Sequence, residues 1–176
     1  MMPIVLLLIF VAVLIGALLY SQIAAYRLKR CTLDELLAML QPVPREGLTA
    51  IALDNLHPKK HQLRMDPSEM WAQLGGLDAL CTMRENANVL LALAGYVERW
   101  NYDEGVIVTE RMRRDAVQLR RAVFHLRLEM FLHSRRFRMP FYIHEAASAY
   151  YLMTQRLLAL YETNHAGLYP RLAEVL

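Results

Sequence analysis

The sequence predicts an all-α protein in which a single N-terminal transmembrane helix precedes a three- to four-helix bundle. Three observations predict it. Residues 1–26 carry no charged side chain, and 22 of them are hydrophobic. Beyond that run, apolar positions recur at helical spacing, and no stretch alternates with the period of two that a half-buried strand requires. The strong breaks, at Asp66-Pro67 and around Pro140, separate long segments joined by short connections, as in antiparallel bundles.

The apolar run comes first. Ile4 to Tyr20 contains no polar side chain, and extended to Ala25 the run covers about 21 residues, or roughly 32 Å of helix. That length matches a bilayer core. A cleaved secretory signal would show a basic start and a shorter apolar stretch, whereas Met1, Met2 and Pro3 offer no basic side chain, so a retained anchor is expected. Arg27, Lys29 and Arg30 follow it directly, and the positive-inside rule then places the N-terminus outside and the C-terminal domain in the cytoplasm of a cell (inner) membrane. Cys31 and Cys81 fit a compartment that keeps thiols reduced. Cys31 also sits where juxtamembrane cysteines are lipidated, although a small residue before a helix cap is the simpler reading. Small residues at Ala12 and Gly16, and at Ala17, Ser21 and Ala25, leave room for a second membrane helix.

The chain as a whole is 56% hydrophobic, but outside the anchor the fraction falls to about 51%, and every charged residue lies there. This composition excludes a disordered chain, a polytopic transporter and a disulfide-stapled scaffold. Three segments result: residues 1–30 as anchor and basic stop, 31–66 as short helices and a basic linker, and 67–176 as the helical bundle.

Thr32-Leu33-Asp34-Glu35 reads as a capping box opening a short helix to about Gln41. Pro42, Pro44 and Gly47 are expected to stop it before a second apolar stretch, Leu48 to Leu56, and residues 58–66 form the basic linker. Asp66, Pro67 and Glu69 supply a cap, a first-position proline and a first-turn acid for a helix that kinks or breaks at Gly75-Gly76 and continues through Trp100. Asn101 to Gly105 is expected as a turn, followed by a long helix from about Val106 to Phe137 that Pro140 ends. The last major helix, Ile143 to Tyr161, stops near Asn164 and Gly167 and leaves a short tail containing Pro170. On that helix Ile143, Ala147, Tyr150, Leu157 and Tyr161 share a face, with Ala146, Met153 and Leu160 beside it. Val89 to Val97 is apolar all round and too short to span a bilayer, which predicts the central, most buried helix.

Charge is divided between segments. Residues 67–110 hold two basic and seven acidic side chains, whereas residues 111–138 hold nine arginines and two acids. Two helices joined by a short turn would set these segments side by side, so internal neutralisation of much of the basic face is expected. That weakens a nucleic-acid reading, which needs uncommitted cations, and nucleic acid is disfavoured as a partner. Lys59, Lys60 and Arg64 in the linker, with Arg135, Arg136 and Arg138 around Phe137, are the candidate contacts to an anionic surface.

The long helix carries the clearest hint of a partner. Arg113, Arg120 and Arg127 recur every seven residues and lie between two apolar stripes. One stripe contains Met112, Ala116, Leu119, Val123, Leu126 and Met130; the other contains Val117, Phe124, Leu128 and Phe131. Two stripes serve either two neighbours inside the fold or one inside and one outside, and both alternatives stand at this point.

Motifs for chemistry are sparse. His125, Glu129 and His133 share one face, where adjacent members could chelate a metal, but His125 and His133 lie about 12 Å apart along the axis and cannot hold one ion. Glu162-x-x-His165 is half of a di-iron pattern and has no matching second motif; Asp54-x-x-His57 is the nearest approximation. Haem ligation by His125, His133 or His144 lacks any accompanying signature, and His144 reads as a polar residue near a helix start. No phosphate-binding glycine loop, nucleophile elbow, kinase signature or paired-cysteine metal motif is present. No cofactor and no catalysis are therefore expected. The sequence points to a single-pass, membrane-anchored interaction module, an accessory subunit or scaffold of a membrane-associated complex. Its bilayer contact is residues 4–25, and its face for a protein partner or for self-association is Arg113, Val117, Arg120, Phe124, Arg127, Leu128 and Phe131. The alternatives are a metal- or haem-binding bundle, and an arginine-rich helix that binds anionic lipid or nucleic acid.

Overall fold

A computed structural model of the chain describes residues 15–16, 26–28, 30–57, 65–98, 101–131 and 139–176. These residues form helices and no strand: α1 (Leu33–Ala38), α2 (Arg45–Leu56), α3 (Pro67–Leu74), α4 (Gly76–Val97), α5 (Tyr102–Phe131), α6 (Met139–Asn164) and α7 (Tyr169–Val175). Among the described residues no helix is long and apolar enough to cross a membrane. The expected anchor, residues 4–25, lies outside them apart from Ile15 and Gly16.

The start of α1 follows the capping logic. Glu35 Oε2 accepts from the Thr32 amide at 2.8 Å, and Thr32 Oγ1 accepts from the Glu35 amide at 3.4 Å. The helix ends at Ala38, not near Gln41, because the backbone of Gln41 is claimed elsewhere. Its N–H donates to Asn86 Oδ1 at 3.0 Å and its carbonyl accepts from Asn86 Nδ2 at 2.8 Å. Pro44 caps α2, and Gly47, expected as part of the break, lies inside that helix. A Cβ at Gly47 would fall 2.3 Å from the carbonyl oxygen of Gln73, so the glycine is there for the crossing of α2 over the end of α3.

Asp66 Oδ1 accepts from the Ser68 amide at 3.2 Å, with Pro67 in the first turn, as the sequence predicts. Gly75 and Gly76 both have positive φ, 84° and 73°, which separates α3 from α4. The expected turn at Asn101–Gly105 is instead the first turn of α5, and a Cβ at Gly105 would meet the backbone of Glu98 at 2.9 Å. Pro140 lies in the first turn of α6, where a missing N–H costs nothing, and the expected end of α5 at Phe137 lies outside the described residues. The tail is not loose. It forms α7, whose last carbonyls, on Ala173 and Glu174, accept from the Arg45 guanidinium, while Arg171 pairs with Asp34 at 2.8 Å.

The centre of the bundle is α6, not the segment Val89 to Val97. α6 packs against α2, α3, α4, α5 and α7, and the consecutive residues Ala146, Ala147, Ser148 and Ala149 are all buried, so the helix is enclosed on every side there. Small side chains in that run allow the neighbours to approach. In α4, Leu90, Leu93, Ala94 and Val97 are buried, but Leu91, Ala92, Gly95 and Tyr96 remain half-exposed. Leu36, Leu48 and Ile51 join the same core as α4, α5 and α6, so residues 33–56 are built into the bundle.

Two core phenols give the fold an alkaline limit. Burial pushes the Tyr161 hydroxyl up, with Tyr96 adding to the effect, and its OH donates to the Leu93 carbonyl at 3.1 Å. Burial also raises Tyr150, partly offset by its hydrogen bond with Asn86 and by Arg45. Unfolding releases both to ionise near pH 10, so the stability they support is complete below that pH and falls as pH rises above it. Thermal melts of the full chain between pH 8 and 11.5 should show a decline above about pH 10, with a shallower slope in Tyr161→Phe.

Candidate functional site

α5 lies against α4 on one side and α6 on another, and its inner stripe is the core stripe: Met112, Ala116, Leu119, Val123 and Leu126 are buried, whereas Met130 is exposed. The second stripe is left outside. Val117 is 61% exposed, Phe124 62%, Leu128 41% and Phe131 81%. Arg113, Arg120 and Arg127 are exposed as well, so all seven residues expected to form a partner face lie together on the outer side of α5. The alternative in which both stripes are covered within the chain does not hold for the described residues.

The arginines are not neutralised in the expected way. Among the described residues no ion pair joins α4 to α5. Arg113 and Arg114 share Glu110 on α5 itself, at 3.3 and 4.0 Å. Arg120 donates to Asn88 Oδ1 and Arg127 to Cys81 Sγ at 2.8 Å, so α4 offers neutral acceptors. The acids Glu69, Asp78 and Glu85 are exposed and face solvent instead. Among the described residues the acids of α4 therefore make no contact with the arginines of α5, only Glu110 of the acidic segment pairs with the basic one, and positive charge persists along α5. Among the described residues, the buried Asp115 on α5 pairs with the half-buried Arg156 on α6.

Aromatic rings widen the outer face toward α6. The His125 ring stacks on Tyr142 with centroids 5.0 Å apart, and Phe124 and Phe141 each meet this pair edge-on, at 5.8 and 5.6 Å. Phe141 is 63% exposed. His125, considered above as a metal ligand, is thus a ring in an aromatic row between two helices; Glu129 is half-buried on the next turn, and His133 lies outside the described residues. Among the described residues, no three His, Cys, Asp or Glu side chains come close enough to hold a metal ion. Lys59, Lys60, Arg64, Arg135, Arg136 and Arg138 also lie outside the described residues.

A polar clip between α2 and α6 escaped the sequence reading. His144 is 1% exposed, because α6 begins at Met139 and carries it past the helix end onto the inner face. Its Nδ1 lies 3.2 Å from the Ile51 carbonyl and its Nε2 3.7 Å from Asp54 Oδ2, a contact that becomes an ion pair when the ring is protonated. One turn on, Asn55 Nδ2 donates to Ser148 Oγ at 2.8 Å. These side chains join two helices and offer no open cleft to a substrate. The only sequence signal for them is the helical spacing of His144 and Ser148 with the core residues of α6. Comparison of the chain with protein-family models, with curated proteins and with solved structures gives no match.

Proposed function

We propose that the protein is a single-pass, membrane-anchored helical bundle that acts as an interaction module, an accessory subunit or scaffold of a membrane-associated complex, with the outer face of α5 as its working surface. The observation that carries this reading is the exposure of Val117, Phe124, Leu128 and Phe131 in one line, on a helix whose other stripe is already in the core. Apolar side chains left in water along roughly 21 Å of helix favour association, at about 1.5–3 kcal/mol for each one fully covered. The apolar run over residues 4–25 and the basic residues after it support a tether with the domain in the cytoplasm.

The test is the size of the assembly extracted from native membranes in mild detergent. The chain should sediment with membranes and migrate well above its 20.4 kDa mass. Val117→Asp together with Phe124→Asp should reduce it to the free chain without lowering Tm, since both positions are exposed. A wild-type chain that extracts as a monomer would remove the proposal.

A further inference from the structure

The outer face of α5 has a charge pattern that selects its occupant. Val117, Phe124 and Phe131 recur every seven residues, with Leu128 one turn beyond Phe124, which is the spacing of a seam that receives another helix at a shallow angle. On the helical wheel, Arg113, Arg120 and Arg127 line one side of this seam and Arg114 and Arg121 the other. Glu110 compensates Arg113 and Arg114, whereas Arg120, Arg121 and Arg127 meet no carboxylate among the described residues. Phe124 is therefore bracketed by cations one turn before and one turn after it. Two of those guanidinium groups, on Arg120 and Arg127, are steadied by Asn88 and Cys81, so their positions are set before a partner arrives.

We infer, on the reading of α5 as an interaction face, that the segment seated there is an acidic amphipathic helix of a partner protein: an apolar ridge with Asp or Glu side chains on both flanks. Arginine suits this task. Its planar fork binds a carboxylate through two parallel hydrogen bonds, and its weaker hydration makes burial at an interface less costly than for lysine. The three lysines of the chain, Lys29, Lys59 and Lys60, all lie outside α5. A second copy docked symmetrically through the same face would set arginine rows against arginine rows, which opposes self-association there. A bilayer surface asks for a broad uncharged apolar face, whereas the apolar column on α5 is bordered by arginines on both sides and joins the aromatic row toward α6 only at Phe124.

The test places a photoreactive phenylalanine analogue at position 124 of the full chain, irradiates native membranes and maps the adduct by mass spectrometry. The expected adduct is with another protein, through a helical peptide whose apolar positions are bordered by Asp and Glu. Its yield should fall about tenfold when Arg120→Glu, Arg121→Glu and Arg127→Glu are introduced together, and recover when the partner's bordering acids are changed to Lys. An unchanged thermal melt of the triple variant shows that the bundle is intact. A protein adduct whose yield does not depend on the three arginines, or whose peptide lacks bordering acids, overturns the acidic-helix inference and leaves the interaction face standing. Adducts only with a second copy likewise overturn the acidic-helix inference alone, whereas adducts only with lipid or nucleic acid, or no adduct at all, overturn both.

Discussion

Gly47→Ala should destabilise the protein by about 3 kcal/mol, although the same change in an ordinary helix interior stabilises by roughly 1 kcal/mol. The added methyl would lie 2.3 Å from the Gln73 oxygen and 2.8 Å from its carbonyl carbon, and neither is a side-chain tip that can rotate away. Relief requires α2 to move off α3, which also loosens Leu48 and Ile51 from the core they share with α6. Gly95→Ala is the matched control. It lies in the interior of α4 with nothing within 4 Å of the new methyl, so it should raise stability by about 0.5–1 kcal/mol. Urea denaturation of the full chain in detergent compares the two, and a stabilising Gly47→Ala would show that α2 and α3 do not cross as described.

Asn86→Ala should cost about 3 kcal/mol through a different mechanism. The Asn86 amide satisfies both backbone groups of Gln41 and donates to the Tyr150 hydroxyl at 3.1 Å, so one side chain joins the loop after α1, the middle of α4 and the centre of α6. Truncation leaves the buried Tyr150 hydroxyl and the part-buried backbone groups of Gln41 without that partner, at about 1–3 kcal/mol for each that water cannot reach. Asn86→Asp keeps the size but replaces the amide donor, and should recover only part of the loss. Hydrogen exchange separates this from a general weakening: the Gln41 amide and the α1 segment should lose protection before α5 does.

The parts of this fold legible in the sequence are those written in near neighbours. The capping box at Thr32 and Glu35, the start at Asp66-Pro67, the break at Gly75-Gly76 and the inward face of α6 all depend on residues a few positions apart, and the structure carries each one. The rest depends on which helices meet. Gly47 reads as a breaker until α3 is laid across it, and His144 reads as a terminal polar group until the carbonyl of Ile51, 93 residues earlier, is placed beside it. Helix α7 lacks a strong start signal of its own and is held by Arg45 and Arg171, whose partners lie more than a hundred residues away in sequence. Summed charge also misleads, because α4 turns Asn88 and Cys81 toward the arginines of α5 and its acids toward water. The two apolar stripes of α5 are both strongly hydrophobic, and periodicity alone finds both without saying which is inward. Packing of α5 against α4 and α6 decides it, and leaves Val117, Phe124 and Leu128 outside.

The most direct measurement of the central claim is covalent footprinting of the side chains of α5 in two states, native membranes and the purified chain in detergent. Carbene labelling with residue-level mass spectrometry reports side-chain access without altering the sequence. A covered face predicts strong labelling of Val117, Phe124 and Leu128 in the purified chain and several-fold protection of these residues in membranes, while exposed positions away from the face, such as Glu85 and Tyr102, label equally in both. Equal labelling of Val117, Phe124 and Leu128 in the two states would contradict the account.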